Sequence, residues 1–469
     1  MRSGATAGWV CALYLAVTFA WYVAWRHFLA ERSADEGMFE NILWNGVHGS
    51  GLRSWIEGGV PHLAVHFSPI LYLLLPFYAL TGSMHVVHLA VSALTAAAGL
   101  VFHRHVRHSL DERSALPAMV AFLMLPTIIL QTFMEFHEQS LAILPLTLLL
   151  VAWSERRGLV VLVSALALLS VREDNALLLL ALGVISVPDA GRRRMGVALL
   201  LLGASWLVAW RAIAIQSLGA GEFPGVFANT YSRWGESPGE AMRSVVTRPM
   251  DAMSHLVAPA PLKYLVLLLA PVLGLLPFGS CIVLVALPQL MLVLLADHDA
   301  RQFQIRMHYS VAPAVILMFA AVSTLQKFDP ARPALAMSIR RWAPPAMMAV
   351  TLLLAPGWAL RAAGRLNPYA SQIREVLRAV PDTASVSAPG YLLNHLAARP
   401  RIALQWEVRV PNTEYVVLED SSRFFFKGTT VDVFYSSQFD SLLTSGGYDK
   451  VLDRHGWHVY RRRAPGGGR

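Results

Sequence analysis

Two adjacent carboxylates, Asp35 and Glu36, stand just beyond the first long apolar run of a chain that is otherwise basic and apolar. Acid at the end of such a run is costly unless it caps, pairs or reacts. In the stretch Ser-Ala-Asp-Glu-Gly-Met-Phe-Glu-Asn-Ile-Leu-Trp, a turn ending at Gly37 would let Asp35 or Glu36 cap the positive end of a following helix, with Glu40 one turn on. The same carboxylates could instead act as a general base or hold a cation.

Four further groups carry chemistry. His66, in His-Phe-Ser-Pro, is either a hydrogen-bonded structural residue or a phosphate or metal contact. Glu135, His137 and Glu138 place three ionisable groups within Met-Glu-Phe-His-Glu-Gln, compatible with a divalent cation such as Mg or Mn or with proton transfer, though their spacing is not diagnostic. Arg172, Glu173 and Asp174 interrupt an apolar stretch from Gly158 to Val187. A charge at mid-span costs about 2.5–3.5 kcal/mol, so this triplet marks a turn between two short spans, where Arg172 meets a phosphate or neutralises its neighbours. Arg301, Arg306, His308 and Tyr309 gather before a late apolar run. There is no Walker A loop, no Gly-x-Ser-x-Gly elbow and no His-Glu-x-x-His, which disfavours ATP-driven transport.

The elements that must position these groups are membrane helices. Of 469 residues, 55% are hydrophobic and 15% charged, and mean hydropathy is +0.48. This is the composition of a polytopic membrane protein. The net charge of +9 sits in short Arg clusters between apolar runs, a membrane-flank signature rather than a nucleic-acid footprint. Cys11 and Cys281 both fall within apolar runs, so neither a disulfide framework nor a cysteine-built metal site is expected. The first run lacks a small-x-small cleavage site and reads as a retained anchor.

With a cytoplasmic N-terminus, the inter-run clusters alternate in sign. Arg104, Arg107 and Arg113, then Arg156 and Arg157, then Arg192 to Arg194, then Lys327, Arg332, Arg340 and Arg341 are basic. Between them come Asp35, Glu36 and Glu40, then Glu135 and Glu138, then Glu173 and Asp174, then Asp297 and Asp299. The positive-inside rule predicts this alternation if the segment from His66 to Gly82, with Pro69 and Pro76, does not cross but forms an interfacial or re-entrant element. About eleven spans follow, with a large first outer loop, a second outer loop over 216–262 and no internal repeat. After Asn367 the composition becomes that of a small α/β domain, with a helix over 371–380 and strands over 384–387 and 415–418. The expected division is a transmembrane domain of residues 1–366 and an extracytoplasmic α/β domain of 367–469.

The motifs Asp35 to Trp44, His66-Phe67-Ser68-Pro69, Glu135-Phe136-His137, Arg172-Glu173-Asp174 and His308-Tyr309 with Pro313, with the segment from Tyr231 to Pro249, resemble domain-of-unknown-function family 2079 of prokaryotic membrane proteins. The family pattern tends to have Asp at the positions of Glu40 and Glu135 and Lys at that of Arg172. Arg in place of Lys makes a proton-transfer role there less suitable. That family in turn resembles the C-type (GT-C) membrane glycosyltransferases. The resemblance implies a polyprenyl-phosphate-linked sugar donor, an acceptor on the outer side of the cytoplasmic membrane and Asp35 as catalytic base. It also implies that Arg172, Arg301 or Arg306 stabilises the leaving phosphate, with His66 and Glu135 lining the same cavity. The remaining acids, His137, His308 and Tyr309 would be substrate-binding. The rival readings are a transporter or lipid flippase and a non-catalytic envelope assembly protein. An enzyme predicts that Asp35, His66, Glu135 and Arg172 converge around a single outward-opening pocket.

Overall fold

Leu, Val and Ala dominate the long runs, and the backbone answers with helix, which satisfies its own N–H and C=O groups away from water. The computed structural model describes residues 2–31, 33–218, 230–297, 301–328, 334–363, 367, 369–404, 413–419, 443–445 and 447–463. Within these, eleven helices fill the first half: α1 (Arg2–His27), α2 (Asp35–Val47), α3 (His62–Val65), α4 (Leu71–Thr81), α5 (His85–Ser109), α6 (Glu112–Leu123), α7 (Pro126–Phe133), α8 (Ile143–Ser154), α9 (Gly158–Leu169), α10 (Asn175–Ser186) and α11 (Arg193–Leu218). Further helices cover Pro238–Thr247, Pro249–Leu256, Pro259–Leu269, Val283–Leu294, Val311–Gln326 and Ala334–Ala363. The helix at Val311–Gln326 is buried along almost its whole length, whereas α1, α9 and α11 expose Leu13, Leu159 and Leu201, apolar faces suited to lipid.

Among the described residues, four helices are long and apolar enough to cross a bilayer, or six if two bent pairs each count as one span. The count of eleven is therefore not reproduced, and the reason is length. Helices α9, α10 and Val283–Leu294 have 12 residues each, about 18 Å against a hydrocarbon core of about 30 Å. The expected span over 115–133 is one of the bent pairs: α6 and α7 meet at 52°, where Pro126 starts a new helix.

The proline-bearing segment after His66 also departs from expectation in detail. Pro69 lies ahead of α4, but Pro76 lies inside it without ending it. At 11 residues α4 is too short to span, and it packs on α2 and α5. Of the loop expected over 216–262, residues 219–229 lie outside the described residues, as do Asp299 and Arg332. The rest of that loop is anchored at Asp297, whose carboxylate accepts from the Ser232 amide and hydroxyl.

Arg340 donates to the Leu110 carbonyl, and Arg156 and Arg192 both meet Asp189. At the C-terminal end lies a five-stranded sheet of order β2-β1-β3-β5-β4, formed by β1 (Val386–Ala388), β2 (Ile402–Leu404), β3 (Tyr415–Glu419), β4 (Tyr448–Arg454) and β5 (Trp457–Arg462). β1 runs parallel to β2 and β3, while β5 runs antiparallel to β3 and β4. The helix Ala370–Arg378 closes one face through Ile373 and Val376, and Leu29, from just after α1, joins the same core. Helix and strands thus fall within two residues of the positions read from sequence.

Candidate active site at the start of α2

Glu36 is fully buried and saturated with donors. Its Oε1 accepts from Tyr22 Oη at 2.5 Å and Arg26 Nη1 at 3.0 Å, and its Oε2 faces His88 Nε2 at 3.2 Å and the Phe136 amide at 3.3 Å. Tyr22 stacks on His88 with ring centroids 3.4 Å apart, so α1 and α5 are fastened to α2 through one carboxylate. Burial alone would raise the Glu36 pKa, but His88, Arg26 and Tyr22 overcome it and hold the group at about 2. Glu40 shares Arg26 at 2.7 Å; there burial outweighs the arginine, and its pKa is raised.

Neither member of the acidic pair caps the helix. Ala34 occupies the cap position and no side chain closes it, while Gly37 lies within α2 rather than ending a turn before it. Both acids sit in the first turn, where the helix dipole favours negative charge. They differ in surroundings. Asp35 leaves 37% of its side chain exposed and has the His137 imidazole at 3.5 Å. His137 in turn packs against His308 with ring centroids 4.2 Å apart, and His308 packs on Tyr309 at 4.0 Å.

The Arg172 guanidinium lies 5.4 Å from the Tyr309 ring centre. It is nearly buried, donates from Nε and Nη2 to the two oxygens of Asp174 at 2.9 and 2.7 Å, and reaches Glu138 at 3.4 Å. Next door, Glu173 Oε1 is 3.0 Å from His66 Nδ1, and its Oε2 accepts from the Phe67 amide. Burial opposes charge on both partners, yet their mutual attraction prevails: the His66 pKa rises to about 9 and the Glu173 pKa falls to about 2. The triplet at 172–174 is thus a turn between α9 and α10, as the cost of mid-span charge required.

Asp35 is linked to Arg172 through a row of ring contacts, His137, His308 and Tyr309, and the residue after Arg172, Glu173, pairs with His66. Glu135 is buried beside the start of α2, with the Ser33 amide 3.4 Å from its Oε1. Arg306 stands apart, with its Nε on Gln304, and the Arg301 side chain lies outside the described residues. No group of three or more His, Cys, Asp or Glu among the described residues is arranged to hold a metal ion.

Three participants escaped the sequence reading. Arg26 is one, and the only sequence signal for it is that Tyr22 and Arg26 at i and i+4 place an aromatic hydroxyl and a guanidinium on one helix face. Glu31 is another, buried and 3.1 Å from His395. Asn394 gave no signal at all. It donates from Nδ2 to the Ser33 carbonyl at 2.8 Å and accepts the Gly37 amide on Oδ1 at 2.6 Å, bracketing Asp35 from the C-terminal end of the chain.

The chain thus combines a helical bundle, a long first connection carrying the acidic residues and a small α/β unit. The chain belongs to the family described as predicted membrane protein (DUF2079), which matches residues 29–430. Its fold is similar to that of ArnT from Cupriavidus metallidurans. The crystal structure of that protein bound to undecaprenyl phosphate is 14% identical at a TM-score of 0.55, covering 98% of this chain and 99% of that one. The apo form of ArnT gives a TM-score of 0.55 at 12% identity, covering 97% and 98%. Among curated proteins none matches the sequence.

Proposed function

We propose that the protein is a membrane glycosyltransferase that takes a sugar from a polyprenyl-phosphate carrier and transfers it to an extracytoplasmic acceptor, with Asp35 as general base. The carrying observation is the contrast within the acidic pair. Glu36 is committed to four donors, while Asp35 is part-exposed beside an imidazole. A carboxylate so placed can take the proton of an acceptor hydroxyl as its oxygen attacks the anomeric carbon. The bond from that carbon to the lipid phosphate breaks, and the phosphate leaves as an anion. His66, kept as an imidazolium by Glu173, supplies positive charge toward that phosphate, with Arg306 or Arg301 as further candidates. Arg172 spends its donors on Asp174 and Glu138 and is better suited to framing the site than to meeting phosphate.

The GT-C fold and the polyprenyl phosphate held by ArnT support this reading. In it, residues 1–366 form the transmembrane domain of a cytoplasmic-membrane protein with its N-terminus inside. Residues 367–469 lie outside and, with the second loop, shape the acceptor side. A transporter or flippase is less well supported, because the ionisable groups sit at helix ends rather than at mid-span.

The test is mass spectrometry of envelope glycans and polyprenyl-linked sugars in cells with the gene, without it, and with Asp35→Asn. Build-up of one lipid-linked sugar in the deletion strain and in the variant is expected. Unchanged lipid-linked sugars and glycans in the deletion strain would overturn the proposal.

A further inference from the structure

Where α1 ends, a second polar site opens that the reaction above does not use. A cleft of about 370 Å³ lies in the C-terminal unit, lined by Arg374, Arg378, Asp382 and His395 over a floor that includes Val380 and Leu396. Its position relative to α1 is fixed by a hydrogen bond: Arg374 Nη1 donates to the His27 carbonyl, the last residue of the first candidate span, at 2.6 Å. Phe28 and Tyr369 flank the same junction, each 40% exposed, and the Asn367 amide donates to the Phe28 carbonyl. Exposed aromatic rings at the end of a span are the pattern of side chains that settle at the headgroup level of a bilayer. The cleft therefore sits where lipid phosphates are found.

Its charge suits an anion. Two guanidiniums face one carboxylate, Asp382, and the other nearby acid, Glu31, is engaged by His395 at 3.1 Å and lies 3.9 Å from Arg26. Arginine offers planar, paired N–H donors that match phosphate oxygens, and a headgroup-sized space with apolar flooring accepts the glycerol or sugar beyond. We propose that this cleft binds a phosphate-bearing ligand at the membrane interface, the headgroup of an anionic phospholipid being its source. The site is independent of Asp35 and of the transfer reaction.

Native mass spectrometry of the full-length protein, released from nanodiscs containing phosphatidylglycerol and phosphatidylethanolamine, tests it. Wild type should retain phosphatidylglycerol preferentially. Arg378→Gln, an exposed position whose change leaves the His27 contact in place, should weaken that retention about tenfold, the loss of one charge-assisted bond. Asp382→Asn should strengthen it. A parallel titration with inorganic phosphate separates the sources: displacement of the lipid at low millimolar phosphate would assign the cleft to a soluble anion and overturn the lipid source. Equal retention of both lipids, or no response to either substitution, would overturn the site itself. Thermal unfolding of each variant identifies one that fails to fold, and Arg378→Lys, which keeps the charge, then takes its place with a partial loss expected.

Discussion

Asn394 holds Gly37 from across the chain: its Oδ1 accepts the Gly37 amide at 2.6 Å while the Gly37 Cα lies so close to the Leu393 backbone that an added Cβ would stand 2.9 Å from Leu393 C and O. The C-terminal unit is therefore seated on the first turn of α2, the turn that carries Asp35. An amide side chain and a missing side chain set that fit together.

Removing the clamp should loosen the seat. Asn394→Ala leaves the buried Gly37 amide and Ser33 carbonyl without this partner, at about 1–3 kcal/mol. Gly37→Ala should act similarly, since backbone atoms and not a flexible side chain stand in the way. Thermal unfolding in detergent, with limited proteolysis of the full-length protein, reads both; unchanged melting and cleavage would contradict the fit.

Asp35 and Glu36 should separate stability from activity. Asp35→Asn is expected to leave the melting temperature nearly unchanged, within about 0.5 kcal/mol, because the side chain is part-exposed. Transfer of sugar from a labelled polyprenyl donor should fall about 100- to 10,000-fold, the usual worth of a general base. Glu36→Ala should do the reverse in kind, costing about 3–5 kcal/mol because it strips one of the buried counter-charges from Arg26 and the acceptor from Tyr22. If Asp35→Asn retained full transfer activity, the base would have to be sought elsewhere.

The pair of His66 and Glu173 predicts a pH window. Glu173 titrates near 2 in the fold instead of 4.5, so its contribution is complete above 4.5 and is lost as pH falls toward 2. His66 titrates near 9 instead of 6.5, so its contribution is complete below 6.5 and is lost as pH rises toward 9. The stability difference between wild type and His66→Gln should be greatest between pH 4.5 and 6.5 and shrink on both sides. A difference that is flat from pH 4 to 9 would contradict the assignment.

Arg172→Lys should destabilise despite keeping the charge. One ammonium cannot meet both oxygens of Asp174 in a parallel pair and also reach Glu138, so about 1.5–3 kcal/mol should be lost. Arg172→Lys combined with Asp174→Asn should recover part of it, measured by the same melting experiment.

What sequence could show, and what it could not, divides along physical lines. Apolar runs and charged turns placed the helices and the 172–174 turn correctly, because the cost of burying charge acts locally. The span count is not confirmed where helices such as α9 and α10 have 12 residues, since hydropathy marks an apolar segment without fixing how far it extends. The acidic pair was visible, but not the different surroundings of its two members. That depends on Tyr22 and His88 arriving from two other helices, and on Asn394 arriving from a different fold layer. Contacts of such long range leave no trace in spacing.

Arg26 reaches the Asn394 carbonyl across 368 residues of sequence at 2.9 Å. A ribosome adding about 5–20 residues per second needs roughly 20–70 s to make that stretch. Throughout that interval α1 has been threaded into the bilayer while the segment that completes its guanidinium shell is still unmade. Birth order thus gives the acidic loop and the bundle time to assemble first, and the last part of the chain to be synthesised arrives as the piece that closes the site. Premature termination after Ala363, where the last long helix ends, but before Asn394 would leave a finished-looking membrane bundle with an unfinished α2.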